Sequence, residues 1–195
     1  VNEFILPDGY ATYGYNDVLG ADEIVVHADK VEMDAWLATN TGYTQCNGYV
    51  IENGIVYSSD FTRLIKVPFD VTTVEGELVL NENLVEIGIS SCYGLTNTTS
   101  VVIPNNVTTI YQDAFMYSTK LNNVVLPENL SLIGNAAFLG CSQLTAIEFP
   151  QTDISFGTQA FADTGIVEIV VPDTVTSVGN QAFYNMPYLT KVVFG

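Results

Sequence analysis

The chain has 195 residues, of which 48% are apolar, enough to bury the core of one or two domains. It is strongly acidic: 22 Asp and Glu residues stand against 5 Lys and Arg, for a formal net charge of -17. Because nucleic-acid phosphates and anionic lipids are bound by clustered Lys and Arg, this balance argues against nucleic acid and anionic membranes as partners. No apolar run reaches the roughly 18 residues of a membrane span, so we expect no membrane insertion in this segment.

Residues 1–47 are interpreted as degenerate N-terminal repeats. Two stretches, EFILP at 3–7 and EIVVH at 23–27, look like eroded strand ends of a repeat that becomes clear further along the chain. The sequence DKVEMDAWLAT at 29–39 predicts a helix, because acidic residues near its start suit the helix dipole. His27 is the only histidine, and it takes the place at which later strands end in proline. That position favours a surface residue at a strand end.

Residues 48–68, GYVIENGIVYSSDFTRLIKVP, predict an inserted β-hairpin or meander. The pair Asn53-Gly54 stands between two apolar runs and is a strong hairpin signal, because both residues accept the positive φ of a type I′ turn. A second turn at SSDFT returns the chain into a third strand over 63–67. After Pro68, taken as a strand-ending proline, the repeat is expected to be shortened.

Residues 69–195 carry one pattern with a period of 22 to 23 residues, which predicts a single continuous solenoid domain. The pattern is anchored at Asn81, Pro104, Pro127, Pro150 and Pro172. Before each anchor stands L-x-x-[VI]-x-[LIF], which predicts a short strand with alternate side chains inward, ended by a proline that has no N–H to donate. Positions at the same distance from successive anchors are called columns below.

Each repeat continues with a regular order of side chains after the anchor. The third and sixth columns are apolar, with Ile154 expected to replace Asp153 in the one exception. The seventh column is usually Gly, where we expect a tight turn, and the Ala-Phe pair that follows predicts a brief helical turn with its aromatic ring in the core. Phe138 is therefore expected to be buried. We expect parallel strands in one stack at 78–80, 101–103, 124–126, 147–149, 169–171 and 192–194.

The repeat string has the form [VI]-x-[ILFV]-P-x-x-[VL]-x-x-[IV]-G-x-x-A-F-x-x-C-x-x-L, matched closely by 124–144 and well by 101–121 and 169–189. It resembles the BspA-like class of leucine-rich repeats. The resemblance implies a leucine-rich-repeat-type right-handed superhelix with short parallel strands and short helical turns, interrupted by an inserted β-meander. It also implies a secreted or surface-anchored protein whose repeats serve adhesion or recognition, and it carries over no catalytic residues. Tyr111 in place of Gly and Ser91-Cys92 in place of Ala-Phe depart from the pattern.

No motif in the sequence predicts a catalytic, cofactor or metal site. A catalytic triad would have to be built around His27, and no nucleophile motif accompanies it. The N-terminal acids lack the D-x-D-x-D-G spacing of a calcium loop, which favours a solvated acidic face over a calcium site. These acids are Asp22, Glu23, Asp29, Glu32 and Asp34.

The cysteines and the N-x-[ST] strings have ordinary structural interpretations. Cys46, Cys92 and Cys141 lack CxxC spacing, and the last two fall in apolar columns, so we expect small buried thiols. Asn97, Asn106 and Asn129 open N-x-[ST] strings, but Asn is also a common turn residue. They would be glycosylated only in a secreted protein of a eukaryotic host.

One surface column points to binding. In L-x-x-[VI]-x-[LIF] the residue between the last two inward positions is expected to point outward. This column, called the valine stripe, consists of Val79, Val102, Val125, Glu148, Val170 and Val193. A continuous apolar stripe on an exposed sheet is a candidate docking surface, although valine is also simply a good strand former. The columns beside it are mostly small and polar.

These features are compatible with two classes of function. The first is a noncatalytic, monomeric recognition or adhesion module at the cell surface or outside the cell, with the signal and anchor outside this segment. Its partner is expected to be a protein ligand or a component of the host extracellular matrix. A glycan is the alternative ligand, for which Tyr10, Tyr13 and Tyr15 are the best place, because sugar sites usually present aromatic platforms. The second class is a structural spacer or stalk of a larger surface protein.

Overall fold

The computed structural model describes residues 49–58, 60–69, 71 and 75–195, with the side chains of 49–51 left out of the description. The helix predicted at 29–39, together with His27, Cys46 and the N-terminal acids, lies outside these residues. The strands of the described part are β1 (Tyr49–Glu52), β2 (Ile55–Ser58), β3 (Arg63–Lys66), β4 (Glu77–Leu78), β5 (Glu86–Ile87), β6 (Ser100–Val102), β7 (Thr109–Ile110), β8 (Asn123–Val125), β9 (Leu132–Ile133), β10 (Ile154–Phe156), β11 (Glu168–Val171), β12 (Val175–Val178) and β13 (Lys191–Phe194).

The meander forms as the Asn-Gly signal predicts. Strand β2 pairs antiparallel with β1 and with β3, and the turn between β1 and β2 has a φ of 52° at Asn53 and 80° at Gly54. The third strand is also part of the solenoid, because β3 pairs parallel with β5 and Leu64 lies beside Ile87. The three strands of the meander are therefore the first strands of the large sheet of the solenoid.

Pro68 was expected to be an anchor, the proline that ends the strand before it, and this expectation is wrong. Strand β3 aligns with β5, a strand that follows an anchor. The residues after β3 pair with the turns of the next repeat, and each turn of the solenoid is called a coil below: the amide of Val67 donates to the carbonyl of Ser91 at 2.7 Å. The amide of Thr96 likewise donates to the carbonyl of Phe69 at 2.9 Å. Residues 63–69 thus form a shortened version of the second half of a coil.

One large sheet runs along the solenoid. Its order is β1-β2-β3-β5-β7-β9-β10-β12, and it is parallel from β3 onward. Ile87, Ile110 and Ile133 lie side by side in register and are fully buried, as the sixth column predicts. Ile154 is also fully buried while Asp153 is exposed, so the expected replacement is confirmed.

The strands that precede the anchors form a second face of the solenoid. They are parallel and in register, as predicted, but they lie in two sheets, β4-β6-β8 and β11-β13. The expected single stack is wrong because 147–149 is not a strand. At this level Phe149 carries a ring where the adjacent coils have Leu126 and Val171, and its ring centroid packs 4.7 Å from that of Phe156. This ring contact accompanies the break, but an aromatic residue in this column does not by itself end a strand, because Phe194 pairs with Val171 in β13.

The segments after the large sheet are chains of tight turns. No helix occurs among the described residues, so the expected helical turn at Ala-Phe is wrong. Positive φ angles recur in the ninth column at Ser90, Asp113, Ala136, Gln159 and Gln181, and in the thirteenth at Gly94, Tyr117, Gly140, Asp163 and Asn185. Residues in this left-handed region interrupt a right-handed helix, which needs a run of negative φ.

Backbone amides of these turn segments donate hydrogen bonds to carbonyl oxygens of the next coil. The amide of Asp113 donates to the carbonyl of Asn135 at 2.9 Å, and that of Phe115 donates to Ala137 at 2.7 Å. The same ladder continues in the next coil, where Phe138 donates to Ala160 at 2.8 Å. Since every buried N–H needs an acceptor, stacking supplies what a helix would supply internally.

A file of aromatic rings fills the core along the solenoid axis. The rings of Phe115 and Phe138 stack with centroids 5.2 Å apart, and those of Phe138 and Phe161 are 5.5 Å apart. Phe183 continues the file at 5.7 Å from Phe161. Phe138 is fully buried, as predicted.

The two described cysteines are free and buried, which confirms the structural interpretation of Cys92 and Cys141. Burial raises the pKa of each thiol to about 12. The Cys141 thiol also donates to the carbonyl of Phe115 in the preceding coil at 3.1 Å.

Candidate recognition surface

The valine stripe lies on the outer side of the strands that precede the anchors. Val79, Val102, Val125 and Val170 have exposed fractions of 63%, 50%, 47% and 55%. Glu148 is exposed as well, and Val193 is half-buried. Pairing in register places Val102 beside Val125 and Val170 beside Val193. Inward and outward positions along these strands therefore alternate as the sequence predicts.

The support beneath the stripe is rigid. The flanking inward residues Val101, Ile103 and Ile169 are buried in the main core. A valine side chain has a single rotatable bond and a restricted χ1, so it loses little conformational entropy when a partner covers it. The stripe is therefore a preorganised apolar surface, which lowers the cost of binding.

The columns beside the stripe are mostly polar, and four of their side chains make contacts within the fold. The hydroxyl of Thr99 donates to the carbonyl of Gly76 at 3.3 Å, and that of Thr190 donates to Val167 at 3.1 Å. Lys191 forms an exposed ion pair with Glu168 at 3.3 Å. Such exposed pairs contribute little stability, and none of these groups is activated for chemistry.

Glu148 is the single charged member of the stripe. It makes no hydrogen bond or ion pair with any residue that the structure describes, unlike Glu168 in the next coil or Glu86, which lies 2.6 Å from Arg63. It also stands in the coil where the strand ladder is interrupted. An exposed carboxylate with no partner among the described residues thus lies between two runs of valine.

Reactive groups are sparse elsewhere in the described part of the chain. No cluster of three His, Cys, Asp or Glu side chains within it could hold a metal ion. The raised pKa of Cys92 and Cys141 keeps both thiols protonated, so they are poor nucleophiles. Hydrogen bonds from the Ser58 hydroxyl and from Thr62 lower the pKa of Asp60 to about 2, but this carboxylate closes the turn between β2 and β3.

Sequence reasoning missed an exposed aromatic pair on the turn side of the solenoid. Tyr93 and Tyr117 have exposed fractions of 42% and 47%, and their ring centroids lie 5.9 Å apart in an edge-to-face arrangement. The ring of Tyr117 also covers Gly140, where a Cβ would overlap it. The twelfth and thirteenth columns hold these residues in adjacent coils, so aligning those columns would have revealed the pair. The tyrosines predicted for a glycan, Tyr10 among them, lie outside the described residues.

Residues 66–190 match the family model of the BspA type leucine rich repeat region, in 6 copies. No curated protein matches the chain. Within the part of the chain that the structure describes, no helix is long and apolar enough to span a membrane.

Several solved structures share the fold. A leucine rich cell surface protein from Faecalibacterium prausnitzii A2-165 is 20% identical, with a TM-score of 0.69 over 79% of this chain and 44% of that one. A leucine rich repeat protein from T. pallidum is 27% identical, with a TM-score of 0.63 over 71% of this chain and 66% of that one. One from Bacteroides ovatus ATCC 8483 is 28% identical, with a TM-score of 0.56 over 74% and 39%. The chain therefore spans between 39% and 66% of the length of these three structures.

Proposed function

Because this chain belongs to the BspA-type leucine-rich repeat family, we propose that it is a noncatalytic recognition or adhesion module that acts at the cell surface or outside the cell. The family groups surface proteins that generally serve recognition or adhesion. The observation that carries the proposal is the valine stripe, an apolar column that stays exposed on a rigid sheet face. The ligand of this surface is a protein, such as a component of the host extracellular matrix.

The dimensions of the stripe suit a protein partner. Six positions in successive coils, taken at the strand spacing of the large sheet, extend over about 24 Å. A standard interface buries about 800 Å² on each side, and covering apolar surface contributes about 25 cal/mol per Å². The stripe has no aromatic ring to serve as a platform for a sugar. A flat apolar strip with a polar border is the usual composition of a protein-binding surface.

The charge of the chain supports a monomeric module. A net charge of -17 disfavours association between copies of the same chain. The same charge would repel nucleic acid. The charge thus favours a partner other than a second copy of this chain or a nucleic acid.

The test is the double change Val125→Asp with Val170→Asp, measured as binding of labelled chain to reconstituted extracellular matrix. Both side chains are about half exposed, so the variant should fold and its binding should fall at least about tenfold, as apolar contacts are lost and two charges face desolvation. A matched control, Asn105→Asp with Gln151→Glu, adds the same two charges at exposed positions outside the stripe. Matrix binding that survives in the folded double variant would favour the spacer or stalk function.

Glycan binding is a second candidate function, favoured by the exposed pair of Tyr93 and Tyr117. Exposed aromatic rings offer apolar faces beside polar hydroxyl groups, which suits the mixed surface of a sugar. Replacing both tyrosines by Ala should abolish signals on a glycan array, whereas the stripe variant should retain them. Matrix binding lost through the tyrosines but kept in the stripe variant would assign recognition to the turn side.

A further inference from the structure

The carboxylate of Glu148 sets a requirement for whatever covers the valine stripe. Glu148 is exposed, and the coils before and after its own carry Val125 and Val170 in the same column, so a partner that contacts both valines also covers Glu148. Removing an ionised carboxylate from water without a compensating charge is costly. No residue of the described chain supplies that charge, and Lys191, on the adjacent column, is paired with Glu168.

We infer that the partner presents a Lys or Arg side chain opposite Glu148, with apolar side chains on either side of it, in one extended basic and apolar segment. This inference rests on the proposed function and adds the chemistry of the ligand. The large negative charge of the chain favours the same partner, because it attracts cationic segments during encounter. Arg suits the position better than Lys, since its guanidinium can bind both carboxylate oxygens.

The spacing of the coils predicts the order of residues in that segment. The coils that carry Val125, Glu148 and Val170 follow one another in the stack, and the large sheet of the same coils has the parallel-strand spacing of about 5 Å. In an extended segment that runs along the stripe, residues two apart face the same side and are separated by about 6.7 Å. The cation therefore has apolar residues two positions before and two positions after it. The expected motif is apolar, any residue, Lys or Arg, any residue, apolar.

A random peptide library displayed on phage tests this inference, because selection from a library does not require an identified ligand. The library is selected in parallel on the unchanged chain, on Glu148→Lys and on Glu128→Lys. Glu128 is an exposed carboxylate on the turn after Pro127, so its variant makes the same charge change outside the stripe. Peptides selected on the unchanged chain should carry the basic and apolar motif. They should bind Glu148→Lys about 30-fold more weakly, because the attraction between opposite charges becomes a repulsion between two cations. They should bind Glu128→Lys almost as well as the unchanged chain, and selection on Glu148→Lys should enrich acidic residues at the central position.

The variants separate failure of this inference from failure of the proposed function. If the selected peptides lose binding to the Val125→Asp, Val170→Asp chain but bind Glu148→Lys normally, the stripe stands and the cation opposite Glu148 is wrong. Equal losses with Glu148→Lys and Glu128→Lys would also overturn it, because steering by net charge would then explain the effect. If no peptide is enriched, or if the peptides bind the double stripe variant normally, the proposed function of the stripe fails. The Glu148→Gln variant keeps the shape of the side chain and removes only its charge, so weaker peptide binding to it comes from the lost charge and not from a disturbed fold.

Discussion

The phenylalanine file shows how single residues hold neighbouring coils together. Phe138 has a parallel ring on either side, at 5.2 Å and 5.5 Å, and no exposed surface. Each ring therefore buries its faces against the coils before and after it rather than within its own coil. Offset-stacked aromatic pairs add stability beyond the apolar area that they bury. A phenylalanine in this file consequently contributes to the stability of its own coil and of the coils on both sides.

Replacing Phe138 by Ala should lower the free energy of unfolding by about 3 to 5 kcal/mol, because it leaves a cavity between two stacked rings. Denaturant unfolding gives this value, and hydrogen exchange should show the strongest loosening in the coils that hold Phe115 and Phe161. Phe194→Ala is the control, since Phe194 is 75% exposed and its loss should cost no more than about 0.5 kcal/mol. Exchange that stays unchanged at residues 101–170 in Phe138→Ala would contradict the coupling of coils through this file.

Among the elements, the turn segment departs most from its sequence prediction. The ninth and thirteenth columns are held in the left-handed region although only two of these ten residues, Gly94 and Gly140, are glycines. Each such L-residue costs about 1 to 2 kcal/mol of strain. The backbone ladder to the next coil offsets this cost, since it satisfies the buried amides of Asp113 and Phe115.

The glycines of the seventh column are explained by contact between coils and not by the tight turn that was expected. A Cβ at Gly134 would lie 2.7 Å from the backbone nitrogen of Gln112 in the preceding coil. The φ of Gly134 is not in the left-handed region. Glycine is thus required there by the close approach of two coils.

Gln159→Gly should stabilise the chain by about 0.5 to 1 kcal/mol, because Gln159 has a φ of 56° and glycine relieves that strain at a smaller cost in unfolded-state entropy. Gln151→Gly is the matched control: Gln151 has no positive φ, so only the entropic cost remains and the variant should be destabilised. Urea unfolding of both variants measures the difference. A Gln159→Gly chain destabilised as much as the control would show that the left-handed turn carries no strain.

At the scale of the whole molecule, stability depends on the number of neighbours that each coil has. Inner coils are covered on two sides, and their sixth-column residues, such as Ile133, are fully buried. In the coil that contains β13, Val192 and Phe194 occupy inward columns and yet are 42% and 75% exposed. In a solenoid, stability is the sum of repeat and nearest-neighbour contributions. Protection should therefore vary along the chain.

Amide hydrogen exchange should be slowest in β9 and β10, which pair with strands on both sides, and fastest in β13, which pairs with β11 alone and has exposed inward residues. The measurement is native-state exchange with increasing urea, followed by mass spectrometry of peptides. The meander offers a comparison, since β2 pairs with strands on both sides and should exchange more slowly than β13. Equal protection in β9 and β13 would mean that the array opens only as one cooperative unit.

The sequence by itself determined the period, the inward and outward columns, the hairpin at Asn53-Gly54 and the exposed position of the valine stripe. These features follow from one repeat at a time, because alternation of apolar residues shows which side chains must be buried. The family follows from the same columns. The burial of Phe138 was predictable for this reason.

Only the tertiary structure decided where the backbone hydrogen bonds go and how closely the coils approach. The absence of helical turns from the described residues, the place of β3 in the large sheet and the pair of Tyr93 and Tyr117 all arise between residues 22 to 27 positions apart. The break at 147–149 is likewise visible only in the structure. A local pattern shows that an amide must find an acceptor, but it does not show whether that acceptor lies in the same coil or the next. Glu148 illustrates both sources: its column follows from the sequence, whereas its lack of a partner in the described chain is visible only when the coils are stacked.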